Sequence, residues 1–213
     1  DLQPTTSRNI DLIFERFDDR IGLISAGLFA KWLDDPIFVF VSDNTLGGDS
    51  QRISLSGRYS IEKALSQSEF SAYIIDYEMN LWSNFTYRLE DPVDGDQFQQ
   101  VDERRIYGGR YTLAWSDTAD SPFRHVFGAE LRYDDIDTVG LYPTRQRERL
   151  GTVRQDAVDQ ASVGAYYEMT WRFAPRWRAV AGLRGDYYWF DVDAGDPANA
   201  GDDTDAIVSP KGS

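Results

Sequence analysis

The chain has 213 residues and a formal charge of −14 at pH 7, from 22 basic and 36 acidic side chains. That balance argues against nucleic acid, whose phosphates call for a basic footprint, and the absence of cysteine excludes a disulfide scaffold and a thiolate metal site. The most apolar run, Ile21 to Ala30, is about half of what a membrane-crossing helix needs.

Aromatic residues make up 14% of the chain while its mean hydropathy is −0.50. Large rings in a hydrophilic chain imply elements that are apolar on one side only, and the order of residues agrees. Ile10, Leu12 and Phe14 alternate with Asn9, Asp11 and Glu15. This period of two predicts a strand. Ile21 to Trp32 is less polar on its second side, but Ser25 and Lys31 keep it strand-like. Arg52 to Glu62 sets Ile53, Leu55, Tyr59 and Ile61 against Arg52, Ser54, Ser56, Arg58, Ser60 and Glu62. Tyr73 to Leu89 has Tyr73, Ile75, Tyr77, Met79 and Leu81 on odd positions, with Asp76, Glu78, Asn80 and Arg88 on even ones.

The pattern recurs at Tyr107 to Ser116, Phe123 to Asp134, Gln160 to Phe173 and Trp177 to Trp189. A helical period would scatter Asp76, Glu78 and Arg88 among the rings, and the segments are rich in Tyr, Ile, Val, Thr and Trp, which favour strands. Eight strands are predicted. The alternation persists for up to 17 residues, roughly 56 Å at about 3.3 Å per residue. A tilted strand crosses a bilayer in about 9–11 residues.

Short connections (18–20, 63–69, 118–122, 174–176) alternate with long polar ones (33–51, 90–103, 135–155, 192–204). All the long loops therefore emerge at one end of an antiparallel up-and-down meander, the pattern of outer-membrane barrels with the long loops extracellular. The predicted fold is all-β, part of a transmembrane β-barrel or a small version of one. Alternatives are an independent eight-stranded barrel that anchors or adheres, and a soluble β-sandwich that binds carbohydrate through Trp and Tyr. A sandwich calls for much shorter strands.

Trp115, Phe123, Trp171, Phe173 and Trp177 lie close to short turns on the apolar side. They read as a membrane girdle touching lipid or as aromatic core at hairpin ends. The wet side carries Asp76, Glu78, Arg88, Arg110, Glu130, Arg132, Arg184 and Asp186, which in a barrel face the lumen and serve as ion-paired scaffolding or line a ligand route. His125 is the only histidine and sits on the apolar side, so no Ser-His-Asp set or His-rich metal cluster is assembled. Asp191-Val-Asp-Ala-Gly-Asp196, with Asp202, Asp203 and Asp205, reads as a solvated loop or a calcium loop, but it breaks the EF-hand order. Arg145, Arg147, Arg149 and Arg154 form a basic patch, either plainly solvated or facing anionic lipopolysaccharide or another anionic ligand. No cofactor and no enzymatic activity are predicted.

Three stretches resemble the barrel of TonB-dependent outer-membrane receptors. They are Asn80-Leu-Trp-Ser-Asn-Phe-Thr-Tyr-Arg-Leu-Glu-Asp-Pro-Val-Asp-Gly-Asp-Gln-Phe-Gln-Gln100, Pro175-Arg-Trp-Arg-Ala-Val-Ala-Gly-Leu-Arg-Gly-Asp-Tyr187 with Ser209-Pro-Lys211, and Pro4 to Leu12 followed by Ser25 to Lys31 and Asp35 to Phe38. The resemblance implies a 22-stranded barrel, plugged by an N-terminal domain, that imports scarce nutrients (a siderophore, vitamin or saccharide) across the bacterial outer membrane. It also implies contact with outer-membrane lipid, with a small ligand and, where a plug exists elsewhere, with TonB. Eight strands are about a third of such a barrel. Residues 1–213 read as one partial barrel domain without a plug, and the chain alone is not expected to transport. The segment like residues 4–40 belongs late in the family's barrel and the one like 176–213 in its middle, so a junction between rearranged segments is placed near 43–52.

Overall fold

The computed structural model describes residues 6–34, 47–84, 86, 88–93 and 95–213. They form one antiparallel sheet of β1 (Thr6–Asp18), β2 (Gly22–Asp34), β3 (Gly47–Lys63), β4 (Ser66–Ser83), β5 (Phe98–Trp115), β6 (Phe123–Arg145), β7 (Glu148–Arg149), β8 (Arg154–Ala174), β9 (Trp177–Ala194) and β10 (Gly201–Gly212). The path is β1-β2-β3-β4-β5-β6-β8-β9-β10, and the two-residue β7 pairs back on β6. Each long strand thus pairs with its neighbours in sequence. Among the described residues β1 pairs only with β2 and β10 only with β9, so the sheet is open.

The long strands run from 12 to 23 residues, and at about 3.3 Å per residue the longest approaches roughly 76 Å. There are nine of them, where periodicity predicts eight. The unpredicted one is β10, whose Asp202, Asp203, Asp205 and Pro210 interrupt the apolar alternation. It forms because β9 offers an unbroken row of backbone groups, with Gly201 opposite Val192 and Gly212 opposite Ala181. Likewise β5, β6 and β8 extend into segments predicted as loops. The predicted strand Tyr73 to Leu89 is displaced toward the N-terminus, because Lys63 and Ser66 pair across a two-residue turn and the chain bends after Ser83. The expected junction near 43–52 falls outside the described residues at 43–46, and from Gly47 the chain is already in β3.

Local chemistry shapes the turns. The Asp18 carboxylate accepts hydrogen bonds from the backbone N–H of Arg20 (2.9 Å) and Ile21 (3.3 Å), closing the β1–β2 turn. Gly22 follows with φ +88°, and a Cβ there would fall 2.1 Å from the Ser60 carbonyl oxygen. The longest described connection, residues 84–97, is organised by Asp96, whose carboxylate accepts from the backbone N–H of Leu89 (2.8 Å), Glu90 (3.1 Å) and Asp91 (2.7 Å). Two tyrosines lie over glycines on adjacent strands: Tyr73 opposite Gly108, and Tyr166 opposite Gly128. A Cβ on either glycine would come within 2.1 Å of the ring.

Gly185 offers a control, since nothing lies within 4 Å of a Cβ built there. Gly128→Val is expected to lower stability by about 1–3 kcal/mol through overpacking against Tyr166, while Gly185→Val leaves it unchanged or higher. Urea unfolding of the detergent-refolded chain, followed by tryptophan fluorescence, measures both.

Candidate membrane surface and inner wall

Directly paired residues of adjacent strands share a face, so the register assigns each side chain to one side of the sheet. One unbroken row reads Leu12, Leu28, Leu55, Ile74, Tyr107, Tyr133, Ala161, Trp189 and Thr204 from β1 to β10. Among the described residues nothing covers this ring-bearing face. Leu12, Leu55, Leu131 and Leu183 are each 56–60% exposed.

The apolar band crosses the register rows obliquely. At one border it stops after Phe14 in β1, Tyr59 and Ile61 in β3, Trp115 in β5, and Phe123 and Trp171 in β6 and β8. This drift is what strands tilted in a barrel wall require. At the other border a charged row follows, with Asp76, Arg105, Asp135, Asp159, Asp191 and Asp202 directly paired in succession. From Phe123 to Tyr133 the band covers ten residue steps, about 33 Å along the strand and about 25 Å along the normal of a sheet tilted by about 40°.

Sequence-predicted girdle residues gather at the short-turn end of this face. Phe123 stacks on Trp171 with centroids 6.0 Å apart, Trp171 meets Phe173 at 5.2 Å, and Trp115 stacks on His125 at 5.1 Å. His125 joins the same aromatic cluster, with Nδ1 2.6 Å from the Tyr167 hydroxyl. Trp177 follows the turn and is 68% exposed.

On the opposite, polar face the candidates divide. Arg110, Glu130, Arg184 and Asp186 assemble across β5, β6 and β9. Arg110 lies 3.3 Å from Glu130, Arg184 lies 2.9 Å from Glu130 and 2.7 Å from Asp186, and Arg110 donates to the Tyr166 hydroxyl at 3.5 Å. Arg132 joins a second cluster, donating to Asp134 at 2.6 Å, while Arg104 pairs with Asp102 at 2.5 Å and reaches Asp134 at 3.7 Å. Asp134, only 2% exposed, belongs to the polar half of the Phe123–Asp134 alternation but not to the eight candidates; its position two residues from Arg132 on one strand face was the available signal.

Three candidates are corrected in position. Asp76 and Glu78 lie on the ring-bearing face, since Asp76 is opposite both Ile53 and Arg105, and its carboxylate is 3.6 Å from Arg105. Tyr73, Ile75, Tyr77 and Met79 correspondingly share the polar face. Both faces of β4 carry apolar side chains, so alternation alone left the assignment to its partners. Arg88 lies in the bend after β4 and on neither face.

The basic patch is drawn into the long-loop end. Arg149 donates to the Gln99 side chain at 2.6 Å and lies 3.8 Å above the Tyr142 ring, Arg147 lies 4.9 Å above Trp82, and Arg154 pairs with Asp156. Gln146 and Arg147 adopt positive φ at the β6–β7 tip, where the Gln97 side-chain oxygen accepts from the Arg147 N–H and from the Thr144 hydroxyl, both at 3.0 Å. The aspartate run is divided: Asp191 and Asp193 lie in β9, Asp196 caps the turn Pro197–Asn199, and Asp202, Asp203 and Asp205 lie in β10. Among the described residues no group of three or more His, Asp or Glu side chains is placed to hold a metal ion.

A long-stranded open meander, wet on one face and bare and apolar on the other, is a portion of a transmembrane β-barrel wall. Residues 49–213 match the family model "TonB dependent receptor-like, beta-barrel", and the chain belongs to that family. Among solved structures it is similar to "Copper transporter OprC", with a TM-score of 0.71 and 20% identity over 98% of this chain. At that identity the likeness shows the fold. The chain spans 33% of that protein's length. No curated protein sequence matches it.

Desolvation within the 84–97 bend raises the pKa of Asp96, but hydrogen bonds from the backbone of Asp91 and Glu90, the Thr86 side chain and the Leu89 backbone outweigh it and hold the carboxyl below its ordinary 3.8. A lowered folded pKa contributes stability that is complete above the unfolded value and disappears as pH falls through the folded one. Amide exchange at Leu89 to Asp91 is therefore expected to stay protected at pH values somewhat below 3.8 and to rise as acid protonates Asp96. Asp96→Asn removes that pH dependence.

Proposed function

We propose that the chain forms part of the wall of an outer-membrane receptor that takes up a scarce small nutrient, a siderophore, vitamin or saccharide, with energy delivered through TonB. The oblique, uncovered apolar band carries this reading, because its height of about 25 Å matches the lipid-facing belt of such barrels. Family membership and the likeness to a copper transporter support an uptake role. Trp115, Phe123, Trp171, Phe173 and Trp177 are the lipid girdle at the periplasmic end, and Arg110, Glu130, Arg132, Arg184 and Asp186 belong to the wall that faces the ligand route. TonB acts through a plug domain outside these residues, and the described sheet does not transport by itself.

Strand direction favours this over a complete small barrel. β1 and β10 both run toward the short-turn end, since eight reversals of direction separate them along the sheet path. They cannot pair antiparallel with each other, so an antiparallel closure takes an odd number of further strands. Among the described residues no second layer covers the rings, whereas a soluble sandwich requires one.

Refolded into lipid vesicles, the chain is expected to resist carbonate extraction. Phe127→Arg, in mid-band on the ring-bearing face, should cost about 2–4 kcal/mol of membrane-folded stability. Ser162→Arg, on the polar face, should leave insertion intact. Equal tolerance of the two, or release of the wild-type chain by carbonate, would reject the membrane assignment.

A further inference from the structure

On β5 to β10, cations on the polar face are paired along most of its height, whereas Lys31 and Arg52, opposite each other on β2 and β3, have no ion pair among the described residues. Arg104, Arg110, Arg132 and Arg184 each meet a carboxylate, and Lys211 meets Glu168 at 2.6 Å. The short-turn end differs. Arg124 at the start of β6, Arg172 in the irregularity between Trp171 and Ala174, Arg176 in the β8–β9 turn and Arg178 at the start of β9 are all exposed, and none has an ion pair among the described residues. Arg124 is opposite Thr170, Thr170 is opposite Val180, and Arg178 lies two residues from Val180 on the same strand, so Arg124 and Arg178 share the polar face.

Four unpaired guanidinium groups in one corner of a chain with net charge −14 repel one another, and like charges on adjacent strands are destabilising. An anion brought to them reverses the sign of that interaction. The register decides which anion. The girdle rings of Phe123 and Trp171 occupy the opposite face, so Arg124 and Arg178 point away from lipid headgroups and toward the mouth of the barrel. The row spans β6 to β9, two inter-strand spacings or roughly 10 Å. A single small anion engages one or two guanidinium groups, whereas an extended peptide presents side chains on one side about every 7 Å and reaches across the row.

We propose that Arg124, Arg172, Arg176 and Arg178 form a docking rim at the periplasmic mouth for a carboxylate-rich polypeptide segment. The placement at a mouth rests on the barrel reading above. Recognition is by charge-assisted, bidentate arginine–carboxylate hydrogen bonds, so it weakens with salt.

The test uses the full chain refolded in zwitterionic detergent, with fluorescently labelled hexaglutamate as probe and anisotropy as readout. Saturable, salt-sensitive binding is expected, weakened about tenfold or more in Arg124→Gln/Arg178→Gln and unchanged in Arg149→Gln, which lies at the other end. A charge-swapped Arg124→Glu/Arg178→Glu chain should exchange hexaglutamate for hexalysine, and near-UV circular dichroism checks that each variant folds. Equal affinity of wild type and Arg124→Gln/Arg178→Gln for hexaglutamate would overturn the proposal. So would arginine-dependent binding of inorganic phosphate or phosphatidylglycerol micelles without binding of the peptide. Carbonate extraction of the same chain from lipid vesicles reports on the membrane assignment separately, so a failed rim and a failed barrel wall are told apart.

Discussion

Backbone hydrogen bonding is the constraint on which this structure rests. A strand with hydrocarbon on one side has no water there to satisfy its N–H and C=O groups, so every residue in the band must pair with a neighbouring strand. The ladders comply: β3 and β4 pair without interruption from Gly47–Trp82 to Lys63–Ser66, and β4 and β5 from Ser66–Trp115 to Ser83–Phe98. Irregularities are confined to Asp137 and its surroundings and to the residues between Trp171 and Ala174, near the two ends of the band. Two unpaired edges remain, on β1 and β10, and long edges of this kind invite further pairing.

Because register is set by those ladders, one choice of pairing sorts every side chain between two environments. Outside β4 most Leu and Ile side chains and the short-turn rings go to the bare face, while the clusters of Arg110, Glu130, Arg184 and Asp186 and of Arg104, Arg132 and Asp134 go to the polar one, with Tyr73, Tyr77 and Tyr166 beside them. The clusters bind strands that are far apart in sequence: Arg184 on β9 holds Glu130 on β6, which also meets Arg110 on β5. Mutual pairing satisfies these charged groups on the polar face and adds side-chain bonds across the same strand joints. Tyr166 over Gly128 and Tyr73 over Gly108 add shape to the same joints. At the short-turn end of β6 to β9 the pairing lapses, and the exposed arginines there have no carboxylate partner among the described residues.

The long-loop end follows a different logic. Above the charged row that contains Asp76 and Arg105, the strands continue into water, where side chains rather than lipid must cover them. Val101 and Tyr142 are buried there at 3% and 2% exposure beneath a network of Gln97, Gln99, Thr144, Arg147 and Arg149. That network absorbs the arginines that stand out in the sequence as a basic patch.

Periodicity by itself determined that the chain is a meander of long two-faced strands, with long connections at one end and a ring of aromatics at the other, because alternation is a local property of each strand. That Arg110, Glu130, Arg184 and Asp186 share the polar face was legible for the same reason. Tertiary pairing decided what alternation leaves open. It drew β10 into the sheet despite Asp202, Asp203 and Asp205, since a partner's backbone is indifferent to side-chain polarity. It also turned β4 so that Asp76 and Glu78 lie beside the rings and Tyr73 and Tyr77 line the polar wall. A strand apolar on both sides has no preferred face of its own, and only the hydrogen-bonded neighbours at Ile53 and Arg105 supply one.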